Sequence, residues 1–339
     1  MKRSPVFALF SRVTVLLTIT AHFTSAQKIK ITTFDFPNGI ATTPTDITPA
    51  GEIIGYYGDP KVLAIRGFLR DPSGALTSLA VPNSTYTIPT GVNPSGHIVG
   101  YYQNAGFLQL GFLSDPAGRI TTLNVSGARN VYPEGINPKG QVIGRWVDAG
   151  QLSHSFLRNP DGTIIPFDVG SVGYPGSAGV AIDSQGQSTG FYDDTGAGES
   201  GFLRQPDGTI TTFDVPGATN TAPVAIDARG QILGYYTDAN GEHHGFLWQE
   251  DGTIATFDVP EATHTWPVAI NSRGQIAGYY ADANSALHGF LREADGNIKT
   301  FDVPNSTATL PAAMNATGEI TGVFLDANGN QHGFLTEKF

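Results

Sequence analysis

The sequence predicts an all-β chain: a single seven-bladed β-propeller, four antiparallel strands per blade, closed by an N-terminal strand (residues 29-36) that joins the C-terminal blade. Three observations predict it. Phe68, Phe112, Phe156, Phe202, Phe246, Phe290 and Phe334 recur at spacings of 44, 44, 46, 44, 44 and 44 residues. A fixed period of this length marks a repeat architecture, and four short strands in roughly 40–45 residues is the spacing of a propeller blade. The chain also has 42 Gly and 22 Pro in 339 residues, and no stretch after the leader carries a helical period. That composition suits a turn-rich β fold.

The elements follow in chain order. Met1 to Ala26 has a positive start (Lys2, Arg3), an apolar centre (Val13 to Ala21) and small residues at Thr24-Ser25-Ala26. These are the parts of a signal peptide, so residues 1-26 are read as a leader and 27-339 as one propeller domain. Export places the domain in the periplasm or outside the cell. The chain has no Cys, so disulfides cannot staple it and packing must hold it together. Without the leader it has 16 basic against 30 acidic residues, a net charge of −14. This excludes nucleic acid as a partner class and argues against insertion in an anionic membrane.

The copy from Asp207 to Trp248 shows the unit most clearly. Thr209 to Val215, Val224 to Ile226, Gln231 to Tyr236 and Gly245 to Trp248 read as strands from their β-branched and aromatic content. The longest joint is Pro216 to Pro223. Joints within a blade are hairpins, so this one crosses between blades. Val224 to Ile226 is then the innermost strand, and Thr209 to Val215 the outermost strand of the preceding blade. The last copy lacks an outer strand after Phe334, and Ile29 to Phe36 supplies it, leaving no open edge.

Positions filled in all seven copies are blade requirements. Gly51, Gly96, Gly140, Gly186, Gly230, Gly274 and Gly318 close a tight turn where a positive φ is expected. Gly55, Gly100, Gly144, Gly190, Gly234, Gly278 and Gly322 sit inside a strand, where close backbone approach is the usual reason. Tyr57, Tyr102, Trp146, Tyr192, Tyr236, Tyr280 and Phe324 recur two residues later and are assigned to packing. His154, His244, His288 and His332 share one position on different blades, too dispersed for one coordination sphere, and are expected to hydrogen-bond neighbouring turns. Asp238 to Glu242, Asp282 to Ser285 and Asp326 to Asn330 resemble half of a calcium loop but lack its closing bidentate Glu, so they read as hairpin turns. No metal or cofactor is predicted. The sequence contains no nucleophile elbow, zinc-protease helix motif or phosphate loop, and no catalytic residue is assigned.

The segments His154-Ser-Phe-Leu157, His244-Gly-Phe-Leu-Trp248, His288-Gly-Phe-Leu291 and His332-Gly-Phe-Leu335, with runs such as Ile270-Asn271 through Gly274 and Gly278, resemble the bacterial extracellular repeat family with the His-Ala-Phe (HAF) signature. The likeness covers Ile29 to Phe339. Here Gly or Ser replaces the signature Ala, and only Trp248 supplies its Trp. The resemblance implies an exported, propeller-like protein and brings no agreed activity.

Function is sought where the copies differ. The residue before the repeated Pro is Thr43, Ile88, Tyr132, Ala222, Trp266 or Leu310; two earlier come Ala41, Tyr86, Asn130, Asn220, His264 and Ala308. Both positions fall at the axial mouth of one face, and aromatics placed there mark binding sites. The expected ligand site is Tyr86, Asn130, Tyr132, Tyr174, Asn220, Asp238, His264, Trp266 and Asp282. The leading reading is a monomeric, non-catalytic scaffold that binds a glycan, peptide or partner protein there. The alternative is a lyase or hydrolase working at the same mouth. Protein recovered from its native host is expected to begin at or near Gln27; N-terminal mass spectrometry that finds Met1 intact on soluble cytoplasmic protein would contradict the leader.

Overall fold

A computed structural model describes residues 29–170, 176–193 and 198–339; the leader and Tyr174 lie outside these residues. Among the described residues there are twenty-eight strands and no helix. Strand pairing gathers them into antiparallel units of four. Unit 1 holds Ile40–Ile47, Ile53–Asp59, Ala64–Arg70 and Leu76–Leu79. Units 2 to 6 repeat this order, with inner strands Tyr86–Val92, Asn130–Ile136, Gly176–Ile182, Asn220–Ile226 and His264–Ile270. Unit 7 takes Ala308–Met314, Ile320–Leu325 and Gln331–Thr336 from the C-terminal end. Its fourth strand is Ile31–Phe34, which pairs antiparallel with Gln331–Thr336.

One row of contacts recurs across the units. Gly234 lies in register with Phe246 on one side and Pro223 on the other. A Cβ at Gly234 would meet the Phe246 ring at 2.5 Å and collide with the Ala222 carbonyl. The ring lies flat on the glycine because nothing else fits. Phe68, Phe112, Phe156, Phe202, Phe246, Phe290 and Phe334 are all 0% exposed. The core itself lies between units: Leu203, Phe213 and Val215 of unit 4 pack on Ile232, Phe246 and Trp248 of unit 5.

The inner strand is longer than the sequence suggests. It begins at Asn220, not at Val224, so the stretch Asn220 to Pro223 is strand rather than joint. Proline is tolerated there because the inner strand is an edge, and the pairing register breaks between Pro223 and Ala225. The same bulge follows Pro89, Pro133, Pro267 and Pro311.

The turns after the inner strands explain why that side of the molecule is nearly uniform. Asn93, Asn137, Asp183, Asp227, Asn271 and Asn315 each accept two or more backbone N–H bonds within their own turn. Asn93 and Asn137 also donate to the next unit's turn, and Asn315 of unit 7 donates to Thr48 of unit 1 at 3.2 Å. The seven turn glycines from Gly51 to Gly318 all have positive φ.

The repeated histidines are packing and turn residues, as expected. His154 stacks on Trp146, His244 on Tyr236 and His332 on Phe324, with centroids 4.3 to 5.0 Å apart. Their Nδ1 atoms meet Asp168, Asp258 and Asp35 at 2.8 to 3.1 Å. His332 thus ties unit 7 to the N-terminal strand segment.

Two outcomes follow. Deleting Gln27 to Pro37 removes a whole strand and bares the edge of Gln331–Thr336, so the variant should unfold or oligomerise; a monomeric gel-filtration profile with unchanged Tm would contradict this. Burial works against a charged His332, but Asp35 and Asp326 outweigh it and raise its pKa above the ordinary value. The stabilisation is then complete below about pH 6.5 and fades as pH rises through the raised pKa. Asp35→Asn should flatten that part of the Tm-versus-pH curve relative to the parent.

Candidate functional site

The inner strand starts at one end of the molecule, where its first residue pairs with the last residue of the second strand, as Tyr86 does with Gln103. The turns between second and third strands lie at the same end. Residues at the start of the inner strands therefore share that end with Asp238 and Asp282.

Two aromatic groups assemble there. The first spans units 2 and 3. Tyr101 meets Tyr86 edge-on at 6.2 Å and Tyr132 at 5.2 Å. The Arg145 guanidinium lies 4.2 Å from the Tyr132 ring centroid, a cation–π distance. Its Nε is 3.5 Å from Glu134 Oε1, a single long contact. Glu134 is the bulged residue after Pro133. Burial outweighs the pull of Arg145 and pushes the Glu134 carboxyl up to about 7. Burial, then Glu134 and the neighbouring phenols, push Tyr101 up to about 12.

The second group spans units 5 and 6. Trp266 stacks on Tyr279 at 5.2 Å and on His264 at 5.0 Å. His243 reaches both Trp266 and His264, and Tyr235 lies 5.5 Å from His243. Burial first, and then His264, keep the His243 pKa below its ordinary value, which favours the neutral ring.

The structure thus brings together Tyr86 with Tyr132, and His264 with Trp266, in two groups rather than one. The polar positions are spent differently. Asn130 Oδ1 accepts the N–H of Gln109, Asn220 Oδ1 that of Glu199, and His264 Nδ1 that of His243. Each ties the inner strand to the third strand region of the preceding unit. Where Tyr86, Gly176 and Ala308 hold this position, a parallel backbone bridge stands instead. Asp238 and Asp282 each accept two backbone N–H bonds of their own turn. Among the described residues one trio, Asp238, Glu242 and His244, places ligand atoms within 4.8 Å of one another. The His244 Nδ1 is engaged by Asp258, and Asp238 is engaged by Asn240 and the turn amides.

Reading the joints alone does not single out Tyr101, Glu134, Arg145, Tyr235 or Tyr279. The second-strand position opposite the residue before proline holds Tyr56, Tyr101, Arg145, Phe191, Tyr235, Tyr279 and Val323. Aligning that position would have found them, since it varies as the first-strand position does. Asp46 is a further case. It stands where other inner strands carry Gly91, Gly135, Ala181, Ala225, Ala269 and Ala313. Its carboxyl accepts the N–H groups of Ile47 and of Val92 in the next unit at 2.8 and 2.9 Å. Burial outweighs both bonds and raises it to about 6.

The rim around the first group is apolar. Leu63 is 91% and Phe107 77% exposed at the tips of the turns of units 1 and 2. Both have positive φ, at 50° and 61°, where units 5 and 7 place Gly241 and Gly329. A cleft of about 490 Å³ runs between these units, lined by Ile40, Leu63, Ile65, Tyr86 and Gln103 among others.

No protein-family model matches the chain, and no curated protein matches it. Solved structures do. The chain is similar to a streptogramin B lyase structure at 15% identity, covering 91% of this chain and 98% of that one, with a TM-score of 0.61. It is similar to the β-propeller domain of the Trilobed protease from Pyrococcus furiosus, described with an open velcro topology. There the identity is 11%, the coverage 88% of this chain and 96% of that one, and the TM-score 0.63. TolB from Acinetobacter baumannii matches at 13% identity over 79% of this chain and 64% of that one, with a TM-score of 0.51. Likeness at these identities is one of fold: the chain has β-propeller architecture.

Proposed function

We propose that this chain is an exported, seven-bladed propeller that binds a ligand at the axial mouth on the inner-strand side. The pairing of Ile31–Phe34 with Gln331–Thr336, and the bonds from Asn315 to Thr48 and Gln331 to Thr43, support a ring that closes between unit 7 and unit 1. The leader at residues 1-26 supports export, and the HAF-like segments agree with it. One observation carries the binding reading. Half-buried aromatics gather at the mouth in two groups whose identities change from unit to unit, while the opposite turns repeat. A blade does not require Trp266 where another copy has Ala222. Half-buried rings beside tyrosine hydroxyls and amides suit a glycan, and equally a peptide side chain or a protein partner.

A second reading has one observation in its favour. Glu134, raised to about 7 beside Arg145 and Tyr101, has the poise of a general acid or base, which a lyase or hydrolase at the mouth would need. Tests of the two readings share one protein. On a glycan and peptide array, Trp266→Ala and Tyr132→Ala should each weaken binding of a captured ligand about tenfold, a loss of roughly 1.4 kcal/mol, with little change in Tm. Normal binding by both variants would displace the site from the mouth; turnover of the captured ligand, abolished in Glu134→Gln, would favour the enzyme.

A further inference from the structure

Unit 3 carries two departures from the repeat that have the same charge. At the residue before the inner strand, units 2, 5, 6 and 7 have Thr85, Thr219, Thr263 and Thr307, whose hydroxyls bond the carbonyl at the end of the second strand. Unit 3 has Arg129 there. It keeps only the backbone bond, N–H to the Val147 carbonyl at 2.7 Å, and its exposed side chain has no partner among the described residues. Two positions before that Val147, Arg145 stands where the other units have an aromatic or apolar residue. It keeps a face on Tyr132 and one long contact to Glu134. A protein whose net charge is −11 over the whole sequence thus carries two arginines near one end of unit 3, neither fully paired among the described residues.

We propose, building on the mouth-binding reading, that Arg145, with Tyr101 and Tyr132 as its aromatic wall, binds the carboxylate of a uronic-acid saccharide, and that Arg129 at the same end of unit 3 adds a second positive charge. A guanidinium donates two parallel N–H bonds to a carboxylate and loses that match to a neutral group. The surroundings fit a sugar ring. The Tyr86, Tyr101 and Tyr132 phenols and the Gln109 amide offer donors and acceptors beside ring faces.

Glu134 gives the site a pH dependence. The charged and titratable groups facing it are Arg145 on the adjacent strand, Tyr132 on its own strand, and Tyr101 of unit 2, with Tyr86 beyond. While ionised, Glu134 competes for Arg145; once protonated, it releases Arg145 to the ligand. Affinity for an acidic ligand therefore rises as pH falls through about 7.

Calorimetric titration of the purified protein with oligogalacturonate, and with its neutral methyl ester, tests this. At pH 6 the acid form should bind about tenfold tighter than the ester. Arg145→Gln should remove that preference, bringing the acid form down to the affinity of the ester, and Arg129→Thr, the residue other units carry, should reduce it. Affinity of the parent for the acid should weaken from pH 6 to pH 8, and Glu134→Gln should hold it constant. Failure of the acid form to bind, or equal binding of acid and ester, overturns the proposal. Equal binding that is still lost in Trp266→Ala leaves the mouth reading standing and removes only the acidic ligand. An Asp/Glu-rich peptide that binds tighter than the sugar, with the same arginine dependence, overturns the saccharide assignment.

Discussion

Each unit depends on a phenylalanine ring lying on a glycine. Phe246 on Gly234 is representative, with Pro223 on the other side of the same glycine. Burial of such a ring contributes roughly 1.5–3 kcal/mol, and the glycine makes the burial possible by leaving room for it. The cost is a backbone with more freedom to lose, and the paired strands on both sides offset it. In a chain without cysteine, seven such rows substitute for covalent staples. The core clusters lie between units, so each row is sealed by its neighbour and no unit can bury its own face alone.

That dependence explains why the fold was legible in the sequence. Phe, Gly and turn residues that every copy needs must recur at one period, and their spacing gives the strands directly. The length of the inner strand was less legible. Pro223 reads as a joint residue because proline interrupts a ladder, yet it sits on an edge where no ladder bond is required. The histidines were read correctly for a related reason: a residue present in four equivalent places must serve the unit, and each meets the aspartate that follows its fourth strand.

The candidate site was legible only in part. Tyr86, Tyr132, His264 and Trp266 stand out because adjacent copies chose otherwise. Tyr101, Arg145 and Tyr279 vary in the same way but lie within a strand that looks uniform when only its Gly and following aromatic are compared. Asn130 and Asn220 look like free polar groups in sequence and prove to be fasteners between units. Glu134 and Asp46 carry no signal of their altered acidity, since that depends on burial created by residues far away in the chain.

The seam between the N-terminal strand and Gln331–Thr336 has a mechanical consequence. Ile31 pairs with Thr336 and Phe34 with Gly333, so the two chain directions leave the sheet at the same corner, beside the Lys30–Glu337 ion pair. Tension applied across that corner would open the seam one residue pair at a time, as a zip opens, rather than shearing all its bonds together. The seam is therefore weakest against a pull that separates the two strands at that corner. A tether at one end alone leaves the seam unloaded.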